Sequence, residues 1–161
     1  MATFDIGSIR IRRARPCDRD AILALVPRLV AFGPPAWRDP EAMSVTDRKI
    51  IEAALNSETE DPIVLVAVLG GDIVAGFLHL HSEIDYYRET RNGHVADLVV
   101  AEEYQGNGIA RQLLCQAEDW ARAQQFDWLT ISVFRENARA TRTYERMGFK
   151  EDRVRLLKPL S

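Results

Sequence analysis

The sequence predicts one mixed α/β domain, with an antiparallel first half to its sheet and a parallel second half. Two patterns carry that expectation. Residues 63–69 and 73–81 are β-rich apolar runs separated by Gly70-Gly71-Asp72, a tight-turn signal between paired strands. Residues 94–100 form a nearly continuous apolar run, followed by a long helical pattern and a further β-rich run at 128–133. That order is expected of parallel strands joined by a helix and covered on both faces. With 161 residues, the chain suits a single domain, taken as residues 1–161, and is short for two.

The other elements follow from local pattern. Residues 8–12 alternate apolar and basic side chains around Ile9 and Ile11, a strand that Pro16 ends. Asp18 or Asp20 can cap a helix through Ile22, Leu23, Leu25, Val26 and Val30, with a kink or early end at Pro27. Residues 32–40 contain Gly33, Pro34, Pro35 and Pro40 and predict a loop, and residues 46–55 predict a short helix. Residues 83–92 are polar, either a loop or the end of a long strand. Residues 108–124 place Ile109, Leu113, Ala117 and Ala121 on one helical stripe. Residues 137–147 predict a helix closed by Gly148, and residues 154–160 a last strand.

Composition removes whole classes of function. Hydrophobic residues make up 47% and charged residues 28%, so the chain is neither disordered nor fibrous. A formal charge of −3 supplies no global attraction to nucleic acid or to an anionic membrane. The longest apolar run, residues 63–69, is too short to span a bilayer. Arg10, Arg12, Arg13 and Arg15 interrupt the N-terminal segment, which therefore does not read as a secretory signal, and the expected compartment is the cytoplasm. Cys17 and Cys115, the two cysteines, give neither a disulfide framework nor a cysteine zinc site.

The informative segment is Tyr104-Gln105-Gly106-Asn107-Gly108-Ile109-Ala110, between the apolar strand and the amphipathic helix. Glycines allow backbone N–H groups to approach an anion, and the helix N-terminus adds partial positive charge. Such a turn cradles phosphate or pyrophosphate, with Arg111 available for a charge-assisted contact; a turn of the same composition that binds nothing is the plain alternative. A P-loop requires Gly-Lys-Ser/Thr where Gly-Ile-Ala stands. A dinucleotide fold requires a small residue where Arg111 stands and an acid at the far end of the next strand, whereas Asp127 precedes that strand.

A third class fits. Gln105-x-x-Gly108-x-Ala110 resembles the Arg/Gln-x-x-Gly-x-Gly/Ala signature of the GNAT N-acetyltransferase superfamily. Asn137-x-x-Ala140-x-x-x-Tyr144-x-x-x-Gly148-Phe149 resembles that family's second half-signature. The resemblance covers nearly the whole chain and is strongest over residues 93–149. It implies the GNAT acyltransferase fold: a central mixed, twisted sheet of about seven strands, flanked by about four helices and splayed between the fourth and fifth strands. It implies acetyl-CoA as acetyl donor, with the pyrophosphate of coenzyme A held by Gln105, Gly106, Asn107, Gly108, Ile109, Ala110 and Arg111. The pantetheine arm would pair with Leu98, Val99 and Val100 as an added strand, consistent with amides that need main-chain partners. Asn137 is implied as a cofactor contact, although an N-cap role would also explain it.

Acetyl transfer to an amine requires removal of an ammonium proton and stabilisation of a departing thiolate. By resemblance Tyr144 is the general acid; a buried tyrosine capping a backbone group is the alternative. Relatives often carry a glutamate where this chain has Ala96, so the base is open among His94, Asp97, Glu83, His79 and His81, or water. Strict strand alternation puts His94, Ala96 and Leu98 on one face and Val95, Asp97 and Val99 on the other. His94 and Asp97 are the named base candidates. Asp97 in an apolar strand must in any case be paired or hydrogen-bonded. His79 and His81 lack a third metal ligand at suitable spacing, so no metal is expected. Cys115 lies within a helix among Leu114 and Ala117 and reads as core.

The acceptor is expected to be an amine of a small molecule, peptide or protein, held by Phe32, Trp37, Glu83 and Tyr86 through cation–π and charge contacts. Direct transfer without a covalent enzyme intermediate is the leading expectation. The rivals are a non-catalytic coenzyme A-binding regulatory module and a transferase for longer acyl groups. No nucleic-acid or membrane partner is expected, and pairing into a homodimer is left open.

Overall fold

The structure, a computed structural model, describes residues 9–160. Five strands form one sheet in sequence order: β1 (Arg10–Arg13), β2 (Ile63–Leu69), β3 (Ile73–Ile84), β4 (Arg91–Val100) and β5 (Leu129–Ile131). The first four are antiparallel, and β5 lies parallel to β4. Four α-helices accompany them: α1 (Arg19–Leu25), α2 (Pro40–Leu55), α3 (Ile109–Ala123) and α4 (Ala138–Arg146). The crossover from β4 through α3 to β5 gives the parallel pair read from the apolar run at residues 94–100.

Side-chain alternation divides the core into two layers. Ile63, Leu65, Leu78, Leu80 and Val95 pack with Ile109, Leu113, Leu114 and Ala117 of α3 and with Tyr144 of α4. Val64, Val66, Val68, Phe77 and Val99 pack on the other face with Ile22, Leu23 and Val26 of the α1 segment and Ile51 and Ala54 of α2. Phe77, Ile22, Ile51 and Leu113 are completely buried, each stabilising the fold by about 1.5–3 kcal/mol relative to exposure.

Several expectations need correction. The described residues hold five strands rather than about seven. Residues 154–160 form no strand: they pair with none of the five described strands, and Leu156 and Leu160 remain exposed. Ser8, the predicted start of the first strand, falls outside the described residues. The second helix begins at Pro40 rather than residue 46, because Asp39 caps it by accepting from the Glu41 amide and Pro40 occupies its first turn. Pro27 ends α1 as expected: the chain continues as a 3₁₀ segment, Val26–Val30. Asp18 occupies the N-cap position of α1, but its side chain does not cap the helix; it accepts from the Arg15 amide and forms a bidentate pair with Arg12, which holds its carboxyl below the usual range. Residues 83–92 divide between the end of β3, a turn and the start of β4. Cys115 is half-buried rather than core, and Cys17 is exposed.

Candidate active site

The site is built where β4 and β5 part. Their pairing comprises Gly93 with Leu129, His94 with Thr130 and Val95 with Ile131, and then stops. Beyond Val95, β4 continues to Val100 paired only with β3. Alternate backbone groups of Leu98, Val99 and Val100 therefore face a gap rather than a strand, which is the predicted splay.

The glycine-rich turn closes one end of this gap. Gly106 and Gly108 have φ of +82° and +77°, backbone conformations that glycine adopts without penalty. A Cβ at either position would meet nothing within 4 Å, so the outer side of the turn is open. Gly108 is the N-cap of α3, whose first amides, from Ile109, Ala110 and Arg111, lack intrahelical acceptors. The Gln105 side chain donates to the Val100 carbonyl at 3.4 Å and accepts from Arg139 of α4. The Asn107 side chain donates to the carbonyls of Tyr104 and Gln105 and braces the turn. Amides, helix terminus and exposed Arg111 together make an anion cradle that fits a pyrophosphate.

Tyr144 sits on α4 with 9% exposure, edge-on to Phe149. Burial, then the negative charge of Asp97, pushes its hydroxyl up to about 12. Among the described residues that hydroxyl has no protein hydrogen-bond partner, so it does not cap a backbone group. Asn137, two turns earlier, caps α4 by accepting from the Ala140 amide at 3.2 Å.

The opposite wall differs from the alternation prediction. The β3–β4 register shifts between His79 and Leu80: His79 faces Asp97, whereas Leu80 faces Val95. Ala96 is therefore an extra residue, a β-bulge. Its consequence is that His94 and Asp97 lie on the same face of the sheet, with Val95 and Leu98 together on the other. Cross-strand neighbours share a face, so His79 and His81 join them. His79 Nδ1 lies 2.9 Å from Asp97 Oδ2. The His79 and His81 ring centroids are 5.9 Å apart, and those of His81 and His94 5.4 Å. His94 Nδ1 lies 2.8 Å from Thr130 Oγ1 and 3.6 Å from Glu83 Oε1. Burial holds His94 below the usual histidine range, against the opposing pull of Glu83. Among the described residues no group of three His, Cys, Asp or Glu side chains is placed to hold a metal ion.

One titratable residue escaped the sequence reading. Asp47 of α2 is pushed up to about 6, first by burial and then by the charge of Asp97. Nothing in the polar run Thr46-Asp47-Arg48-Lys49 signals this; it follows from how α2 crosses the sheet. The expected acceptor residues are only partly assembled. Phe32 stacks on Phe134 at 5.4 Å, and Glu83 joins the histidine wall. Trp37 and Tyr86 are 61% and 77% exposed. Tyr86 packs edge-on against Tyr87 in the β3–β4 turn, away from the histidines.

A mixed sheet splayed beside a glycine-rich anion cradle defines an acyl-CoA transferase architecture, and comparison with known proteins agrees. The sequence model of the acetyltransferase (GNAT) family matches residues 29–149. The chain belongs to the GNAT acetyltransferase family, whose acetyl donor is acetyl-CoA. It is 27% identical over 152 residues to the aminoalkylphosphonate N-acetyltransferase of Salmonella typhimurium, covering 93% of this chain and 90% of that one. It is 32% identical over 92 residues to the L-amino acid N-acetyltransferase AaaT of Escherichia coli, covering 53% of this chain and 52% of AaaT. With such higher-identity curated relatives the match spans about half their length. The fold matches that of the aminoglycoside N-acetyltransferase AAC(6')-Iy in complex with CoA, with a TM-score of 0.72, 18% identity and coverage of 96% of both chains. No described helix is long and apolar enough to cross a membrane.

Proposed function

We propose that the protein is an N-acetyltransferase that moves the acetyl group of acetyl-CoA directly onto a primary amine of a small molecule or peptide. The observation that carries this reading is the open, amide-lined turn Gly106–Gly108 beside the unpaired edge of β4. The amides of Ile109, Ala110 and Arg111, with the turn and the Arg111 side chain, hold the pyrophosphate. Leu98, Val99 and Val100 offer main-chain partners to the pantetheine amides. Asn137 caps α4 through its side-chain carbonyl, which leaves its amide N–H groups for a contact with the cofactor. When bound, acetyl-CoA supplies an activated acyl carbon and a thiolate leaving group.

Tyr144 faces the departing sulfur. A hydroxyl near 12 keeps its proton at neutral pH and is always a donor. Full transfer to a thiolate of ordinary pKa, about 8.5, is uphill by three to four powers of ten. Tyr144 therefore stabilises the developing thiolate by a hydrogen bond rather than by early proton release. The acceptor enters from the α1–α2 side, where Asp47, Asp97 and Glu83 attract a cationic amine. Phe32 with Phe134, Trp37 and Tyr86 are the aromatic candidates for contact with that amine. His94 and Asp97 line the same face, across which the amine's proton leaves. Cys115 is on α3, away from this wall, so a covalent acyl-enzyme is not part of the reading. Relatives named for small amine substrates, an aminoalkylphosphonate and L-amino acids, support a small acceptor.

A panel of primary amines incubated with acetyl-CoA, scored by release of free thiol, tests the reading. Turnover with at least one amine is expected, exceeding that with propionyl- or succinyl-CoA. Tight coenzyme A binding with no turnover on any amine would favour a regulatory module instead.

A further inference from the structure

The chain has three histidines, and the bulge at Ala96 brings all three onto one face in a file. Their hydrogen bonds define the tautomer of two rings and constrain that of the third. His79 Nδ1 meets a carboxylate oxygen of Asp97, which accepts. His81 Nδ1 lies 3.1 Å from the Ser82 carbonyl, which can only accept. The Thr130 hydroxyl has one proton and lies 2.8 Å from His94 Nδ1, 3.1 Å from Glu83 Oε1 and 3.2 Å from the Gly93 carbonyl; donation to either oxygen leaves it accepting from His94 Nδ1. His79 and His81 therefore carry their protons on Nδ1 and leave Nε2 as a bare base, and His94 takes the same form when Thr130 donates to an oxygen. Exposure increases along the file: His79 is 4% exposed, and the Glu83 side chain at the far end 39%.

We propose that His79, His81 and His94 form a proton-release path that carries the acceptor's ammonium proton from the Asp97 end of the cleft to Glu83 at the surface. The path rests on the acetyltransfer reading and names the residues that discharge its proton. The ammonium gives its proton through a water molecule to His79 Nε2, leaving the neutral amine free to attack the acyl carbon. Asp97 stabilises the resulting imidazolium. That Nε2–H then donates to a water, which donates to His81 Nε2, and the same exchange passes the proton to His94. Neighbouring ring centroids lie 5.9 and 5.4 Å apart, and the path places one water across each neighbouring pair of Nε2 atoms. Glu83 stabilises the His94 imidazolium, and the proton leaves to solvent. Each ring ends as it began, with a proton on Nδ1. The charged or titratable groups facing the file are Asp97 and Glu83 from the sheet and Asp47 from α2; Tyr144 of α4 packs in the opposite layer and feels the file only through Asp97.

Two measurements test the path on tag-free protein, so that only these three imidazoles report. Long-range ¹H–¹⁵N spectra at pH 8 should show all three rings as the Nδ1–H form; an Nε2–H ring at any of the three positions breaks the file. In the second, His81→Gln is compared with wild type on the fastest amine of the panel. His81 touches neither donor nor acceptor, so kcat should fall about tenfold with KM and coenzyme A affinity unchanged. Added imidazole should restore part of the loss. An unchanged kcat, or a loss that imidazole leaves untouched in a variant with native circular dichroism, overturns the path. Glu83→Gln, at the other end, should lower the apparent pKa of the His94 signal, and an unmoved signal counts against the path. If wild type acetylates no amine at all, the reaction reading falls and the path's role falls with it, while the nitrogen spectra still decide the tautomers separately.

Discussion

His79 donates its Nδ1 proton to Asp97 across the β3–β4 ladder at 2.9 Å, and this bond anchors the titratable wall of the cleft. Asp97 also influences Tyr144 from one side and Asp47 from another, raising both. One carboxylate thus links β4, the helix α4 that carries the phenol and the helix α2 that carries Asp47. Four predictions follow from these and neighbouring contacts.

Tyr144→Phe removes a hydroxyl that has no protein partner among the described residues, so the thermal midpoint should stay within about 2 °C of wild type. The kcat for acetyl transfer should fall by about 10²-fold, within the usual range for a lost acid group, with coenzyme A affinity unchanged. Calorimetric titration with coenzyme A and steady-state kinetics check both parts. A variant with full kcat at saturating substrates ends the assignment of Tyr144.

Asp47→Asn should stabilise the protein in a pH-dependent way. The folded value of Asp47, about 6, lies above its unfolded value of 3.8. The folded state therefore binds the proton more tightly, and stability from this group is lost as pH rises from about 4 through 6. Asparagine abolishes that loss. Thermal unfolding should give a higher midpoint for the variant at pH 7.5 and equal midpoints at pH 4; a constant offset across this window contradicts the burial of Asp47.

Gly76→Ala tests the junction of β3 with the donor-binding part of β4. A Cβ at residue 76 would lie 2.6 Å from the Val99 carbonyl oxygen and 3.2 Å from Val100 Cα, both backbone. Relief requires the strands to separate, at a cost of about 1–3 kcal/mol. Each kcal/mol corresponds to about 2–4 °C in a chain of this size, and coenzyme A affinity should fall too. Differential scanning calorimetry and coenzyme A titration check the two effects.

Gly108→Ala separates conformation from space. The added methyl meets nothing, but φ of +77° is unfavourable for alanine, at about 1–2 kcal/mol. Relief of that strain would rotate the amides of the cradle. Coenzyme A binding should weaken more than binding of desphospho-pantetheine fragments that lack the pyrophosphate. Equal weakening of both would place the pyrophosphate elsewhere.

Much of this was legible in one dimension, because its causes are local. The apolar period of 109–121 determines an amphipathic helix, Gly70-Gly71-Asp72 a hairpin, and Pro27 the end of α1. The two half-signatures around Gly108 and Tyr144 point to the family without any coordinates, since a strand-to-helix turn with glycines at these positions follows from backbone sterics alone. The absence of a strand at residues 154–160 was not legible, because a strand exists only where a neighbour offers its edge. Nor was the role of Asp39 in starting α2, since a capping residue and a loop aspartate look the same in sequence.

The wall of the site was decided only in three dimensions. Alternation assigns faces correctly while every residue of one strand has a partner on the next; a single extra residue, Ala96, reverses the assignment for everything before it. That slip turns His94 toward Asp97, and the packing of α2 over the same face brings in Asp47. The sequence by itself determined most of the elements, their order and the glycine-rich turn between β4 and α3, because these depend on neighbours along the chain. Which titratable groups meet across the sheet depended on register and helix packing, and those are settled by contacts between residues far apart in the chain.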